Sequence, residues 1–251
     1  MAGMAVFAPQ VTHYSFEEQN ISEKLEPPSA KHWMGTDTLG RDLYSRVVYG
    51  ARLSLLVGFV TAISGLLLGV SVGAIAGYRG GAIDLLLMNL VDFLMIFPSV
   101  LMAILLMLLF GRGPLGIILA ISITSWLSLA RQVRGQVMQA KRFPYVESAR
   151  AIGASPAAIL FKHILPNLLG PILVSLTIQI PNNIMAESLL SFVGLGLAPP
   201  YSSWGTLANE GFRGMQTYPH LLIFPSAAIF ITILAFNYLG DELRKKSEKR
   251  L

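Results

Sequence analysis

The stretch RQVRGQVMQAKRFPYVESARAIGASPAAILFKHILP, residues 131–166, decides how the chain is read. It is the one long hydrophilic interruption in the apolar C-terminal four-fifths of the sequence. It carries six basic residues (Arg131, Arg134, Lys141, Arg142, Arg150, Lys162) against one acid, Glu147. Its local signals read helix, turn, helix. Pro144 suits the first position of a helix. Tyr145, Ala149 and Ile152 then share a face, and Glu147 can pair with Arg150 one turn on. Gly153 is a helix C-cap and Ser155 the next N-cap, with Pro156 behind it. Ile159, Leu160, His163 and Ile164 continue the second helix, and Pro166 opens a new apolar run.

Composition explains what surrounds this stretch. The hydrophobic fraction is 53% and only 13% of residues are charged, about half the charge of a soluble domain. Mean hydropathy is +0.59. The chain is therefore an integral membrane protein. The net charge of +5 lies mainly beside apolar spans, which argues against nucleic acid as a partner. The sequence has no cysteine, which excludes disulfides and thiolate chemistry. Scattered histidines offer no metal-ligand spacing, and no phosphate-binding G-x-x-x-x-G-K-[ST] loop occurs. No cofactor is expected.

Five complete spans are expected: Leu53 to Tyr78, Ile83 to Phe110, Leu115 to Ala130, Ile164 to Ala186, and Leu221 to Gly240. The first carries Gly58, Gly65, Gly69 and Gly73, suited to close helix packing. Asp92, two turns into the second span, is expected to pair with Arg79 or a partner chain near the headgroups rather than to carry an ion. Pro166, Pro171 and Pro181 fall in the fourth. Residues 1–51 read as an extracytoplasmic segment. Within it, Asp42 can pair with Arg46, and Leu43, Val47 and Ala51 form one face of a short interfacial helix. Residues 187–219 read as a folded interfacial loop, with Tyr201 and Trp204 as belt aromatics. Residues 242–251 form a basic tail. The positive charges place the 131–166 loop and the tail on the cytoplasmic side.

Four separated strings carry a resemblance that covers nearly the whole chain. Glu147-Ser148-Ala149, with Gly153 six residues after the Glu, His163, and Leu165-Pro166, resembles the EAA loop of ABC importer permeases. Ser148 replaces the usual Ala, and His163 matches the peptide-importer branch. Gly35-Thr36-Asp37, with Gly40-Arg41-Asp42, is similar to the segment before the second span of dipeptide and oligopeptide permeases. Gly194, Gly196, Pro199-Pro200 and Trp204-Gly205 resemble a later stretch of the same proteins, and Ala5 to Pro9 resembles the end of their first span.

The resemblance implies an all-α, polytopic helix bundle of the type I importer class, with an ABC transmembrane domain over 52–241. The chain would be a multi-pass permease subunit of a prokaryotic plasma membrane, without enzyme activity of its own. It implies a second homologous permease, two ATPase subunits and an extracytoplasmic solute-binding protein as partners, within the lipid bilayer. Loop 141–166 would dock into an ATPase through Glu147, Gly153 and the Leu165-Pro166 corner. Cargo would be dipeptides or oligopeptides. Nickel, glutathione or another small solute on the same machinery stays open, as does an ion-coupled secondary transporter. Related permeases have six spans, so a first span is expected to be missing ahead of residue 1.

Overall fold

The computed structural model describes residues 8–197 and 201–248. Eight principal helices follow one another: α1 (Leu43–Arg79), α2 (Gly81–Met95), α3 (Ser99–Phe110), α4 (Pro114–Ala140), α5 (Pro144–Ala151), α6 (Pro156–Phe192), α7 (Trp204–Phe212) and α8 (His220–Glu248). Ahead of them lie a helical turn at Ala8–Val11 and a 3₁₀ turn at Ile21–Glu23. Among the described residues there is no strand, only an isolated bridge between Thr36 and Asp42.

The glycines of α1 set its neighbours. Added Cβ atoms at Gly65, Gly69, Gly73 and Gly77 would strike, in order, Ser125, Leu129, the Ala130 carbonyl and the Arg134 carbonyl. Both series ascend, so α1 and α4 run parallel, their backbones nearly touching along a four-residue stripe. Small residues permit such contact in lipid, where burial from water drives nothing. By the same logic α6 is antiparallel to α1. Ser54 meets Glu187, Gly58 meets Ile184, and Thr61 meets Asn183. Gly240 of α8 meets Thr177 of α6.

Four helices are long and apolar enough to cross a membrane, and α2 with α3 forms a fifth candidate bent by 86°. The expected uninterrupted second span is thus broken. Pro98 has no N–H to give and disfavours helical geometry at the residue before it, so the chain turns and restarts at Ser99. Asp92 does not pair with Arg79; it pairs with Arg131 of α4, while Asp84 takes a two-point bond from Arg134, one arm at 2.7 Å. Two basic residues assigned to the polar loop therefore belong to α4, which runs ten residues past Ala130. The interfacial helix expected before the first span is its first two turns. Leu43, Val47 and Ala51 are buried there against Trp204 and Leu207.

Candidate functional site

The polar stretch folds at one end of the bundle. Lys141 ends α4 by donating to the Tyr78 carbonyl at 2.7 Å, which fastens it to the C-terminus of α1. Pro144 opens α5, as its sequence position requires. The helix closes on Gly153, whose φ of +83° lies in the left-handed region. There Gly153 N–H donates to the Arg150 carbonyl (3.0 Å) and Ala154 N–H to the Ala149 carbonyl (3.0 Å), satisfying the last turn. Ser155 then caps α6, its Oγ accepting from Ala158 N–H at 3.2 Å.

The buried face of α5 differs from the one expected. Val146 and Ala149 insert among Val133, Val137, Ile159 and Ile164, whereas Tyr145 is half-exposed and Ile152 is 84% exposed. Ala149 is buried as expected, but Val146 and not Tyr145 shares its place in the α4–α6 notch, and Ile152 lies outside it. Glu147 and Ser148 point outward, and Glu147 forms no ion pair among the described residues, so the pair with Arg150 is not made.

Nor is there a corner at Leu165-Pro166. One helix continues from Pro156 to Phe192, and its turn at Ile159–Ile164 widens to π geometry. Leu165 N–H reaches back five residues to the Leu160 carbonyl. Pro166 cannot serve the carbonyl four residues before it, and a wider turn relieves that conflict. Asn167 Nδ2 donates to the His163 carbonyl at 2.6 Å. Burial raises the pKa of the Tyr145 phenol, and the nearby Asn167 side chain partly offsets the rise. His163 is half-buried on the widened turn.

The other end holds the remaining motifs. Asp37 Oδ1 accepts from Leu39 N–H (2.8 Å) and Arg41 N–H (3.0 Å), and its Oδ2 accepts from Arg41 Nε (2.7 Å) and Arg46 Nη1 (2.6 Å). Arg46 goes on to Glu210 of α7. Asp42 caps α1 by accepting from Ser45 N–H at 2.7 Å and meets His32 Nδ1 at 2.9 Å, so it does not pair with Arg46. Thr36 closes the loop by hydrogen-bonding the Glu23 carbonyl and Glu26 N–H. Gly35 and Gly40 take positive φ, and at Gly40 a side chain would strike the Asn20 carbonyl. His32 also contacts Glu23, which pairs with Lys31; these two partners, Lys31 foremost, hold the Glu23 carboxyl below the usual carboxylate range.

Trp204 is no belt aromatic. It is fully buried, with Nε1 donating to the Val47 carbonyl at 2.9 Å, while Tyr201 stays 54% exposed. Gly205 lies against the Ser188 backbone, Gly194 terminates α6 with φ +85°, and Gly196 packs on Ser191. Pro199 and Pro200 lie outside the described residues.

Glu187, which sequence reasoning left near a span end, joins these parts. It is fully buried and accepts from Ser191 Oγ (2.7 Å) and Ser54 Oγ (3.3 Å), and Ser54 Oγ in turn accepts from Trp204 N–H (3.2 Å). An acid at the edge of an apolar run, followed by Ser188 and Ser191, was its only signal in the sequence. With Asp92 paired and Glu187 enclosed, neither carboxylate stands free in a path for a coupled ion.

Residues 69–251 match the family described as the binding-protein-dependent transport system inner membrane component. The chain belongs to that family. As a permease component of an ABC importer, it leaves ATP hydrolysis to separate subunits. The permease is 44% identical over 248 residues to the oligopeptide transport system permease protein OppC of Bacillus subtilis (strain 168), covering 99% of this chain and 81% of that one. It is 44% identical to the dipeptide transport system permease protein DppC of the same organism, covering 99% and 78%. With the glutathione transport system permease protein GsiD of Pectobacterium atrosepticum it shares 40% over 252 residues, covering 100% and 84%. Among solved structures, the permease resembles an inward-facing conformation of the MetNI methionine ABC transporter, with TM-score 0.68 at 20% identity over 82% of this chain and 97% of that one. At that identity the likeness concerns the fold. It is a multi-pass protein of the plasma membrane.

Proposed function

We propose that this permease imports dipeptides or oligopeptides together with a second homologous permease, two ATPase subunits and an extracytoplasmic solute-binding protein, and that residues 141–166 are its contact with an ATPase. The observation that carries the contact is the division of α5 into two faces. Val146 and Ala149 anchor it from behind, while Glu147 and Ile152 are exposed, as are Phe143 ahead of the helix and Phe161 after it. An isoleucine left 84% exposed at the end of a helix anchored from behind suits a pocket on a partner. The peptide cargo is supported by the relatives, which are oligopeptide, dipeptide and glutathione transport permeases, and glutathione, itself a tripeptide, falls within it. ATP binding would act by favouring one of two packings of the bundle.

The test is co-purification and uptake. Ile152→Glu or Glu147→Lys, expressed at normal levels, is expected to lose both the associated ATPase and ATP-driven peptide uptake. Wild-type association in both variants would refute the contact.

A further inference from the structure

Two adjoining clefts, of about 420 and 460 Å³, run along the α4–α6 side of the bundle and share Ser128, Gln179 and Asn182. Gln132 and Gln136 of α4 continue the lining. Spacings of three and four residues put these side chains on one face of each helix. Ser128, Gln179 and Asn182 lie within apolar spans, where amides and hydroxyls are costly against hydrocarbon, so this face meets water or a polar partner; Gln132 and Gln136 extend it into the polar end of α4.

The bonding pattern settles which way the amides point. Gln179 is 2.6 Å from the Ser125 carbonyl, which can only accept, so its NH₂ group lies there. Gln132 is 2.8 Å from Ser175 Oγ, whose single proton goes to the Pro171 carbonyl (3.0 Å), so Gln132 must also donate. The donor ends of Gln132 and Gln179 are thus engaged, which turns their carbonyl oxygens to the cleft. The Oε1 atoms of Gln136 and Gln179 are buried and have no partner among the described residues. A buried acceptor left without a partner is destabilising. Among the described residues, Arg244 is the one charged side chain on these walls.

We propose that this face is the chain's part of the translocation path, and that its acceptor oxygens receive the N–H groups and ammonium terminus of a passing peptide. The cargo half rests on the peptide reading above. Uncharged acceptors meet what every peptide shares, its backbone and amino end, and they hold it weakly enough to release it. These acceptor oxygens themselves do not distinguish one side-chain charge from another.

The test uses the whole importer in proteoliposomes, with single cysteines placed in a chain that has none of its own. Ser128→Cys and Asn182→Cys are expected to react with a charged, water-soluble thiol reagent about ten times faster than Leu105→Cys on the exposed apolar face of α3. Equal rates at all three would overturn the path. This arm needs no cargo, so it stands or falls apart from the peptide assignment. In the second arm, Gln179→Leu and Gln136→Leu are compared in complexes that still co-elute. Uptake of acidic, neutral and basic dipeptides is expected to fall by one common factor, about five- to tenfold. A loss confined to one charge class, or none in either variant, would overturn backbone recognition. A wild-type complex that imports no peptide would instead overturn the cargo reading.

Discussion

Glu187 depends on hydroxyls rather than on a cation. With its serines it links α1, α6 and, through Ser54, the backbone of Trp204. Glu187→Ala leaves those hydroxyls unmet and opens a void, so it is expected to destabilise the detergent-solubilised protein by at least about 1–3 kcal/mol, read as a lowered Tm. Glu187→Gln, which keeps the shape and an acceptor, is expected to cost less. An unchanged Tm in the alanine variant would remove the structural role. At the surface, Glu23 titrates below its ordinary value of 4.5 because Lys31 and His32 favour its charged form. Its contribution is therefore fully present above pH 4.5 and lost as acid carries it through its lowered folded value. Proteolysis of the 8–42 segment is expected to rise in that acid window, and to lose the step in Glu23→Gln. Caps such as Ser155 and Gly153 were legible because a cap is written within four or five residues. Trp204 was not: only the distant Val47 carbonyl tells a buried indole from a belt aromatic.

Among the elements, the α1–α4 seam is the most sensitive. At Gly73 a Cβ would overlap the Ala130 carbonyl, and backbone cannot move aside as a side chain can. Gly73→Leu is expected to abolish folded protein, seen as loss of a monodisperse detergent peak, whereas Gly135→Leu, with open space around it, is expected to be tolerated. At Gly153 the environment is equally open but φ is +83°, so the cost of Gly153→Ala is backbone strain of about 1–2 kcal/mol. Gly153→Pro adds the loss of the bond to Arg150, and is expected to cut ATP-driven uptake while the bundle stays folded; wild-type uptake would remove the coupling role. The glycine stripe could be read from its four-residue spacing. The break at Pro98 could not, since proline is also tolerated inside membrane helices, as Pro171 and Pro181 are within α6. The supposed corner at Pro166 failed for the opposite reason, because a widened turn absorbs the proline without redirecting the helix.

For the molecule as a whole, charge and fold agree on two ends. Arg134, Lys141, Arg150 and Lys162 gather where α4, α5 and α6 meet, while the Asp37–Arg46–Glu210 network closes the opposite end. Helix order and class were legible because hydropathy reports burial in lipid directly. The polar face of α4 and α6 was not, since its side chains are scattered singly among apolar ones and align only when two helices meet. Ser155→Cys and Tyr201→Cys, both exposed, are expected to label from opposite sides in intact cells and everted vesicles, with Ser155 cytoplasmic. Labelling of both from outside would refute the orientation.

The unbroken run of α6 has a mechanical consequence. Its 37 residues join the α5 end directly to the Glu187–Trp204 end. A rod turning about the contact of Ile184 with Gly58 has one arm of about 42 Å and another of about 12 Å, at 1.5 Å per residue. A swing at the long arm arrives at the short one reduced by a factor of about 3.5 in distance and multiplied by the same factor in force. Spin labels near Pro156 and near Phe192, measured with and without ATP in the complete importer, should move by amounts in that ratio. Equal displacements would mean that the helix slides as a piston and does not work as a lever.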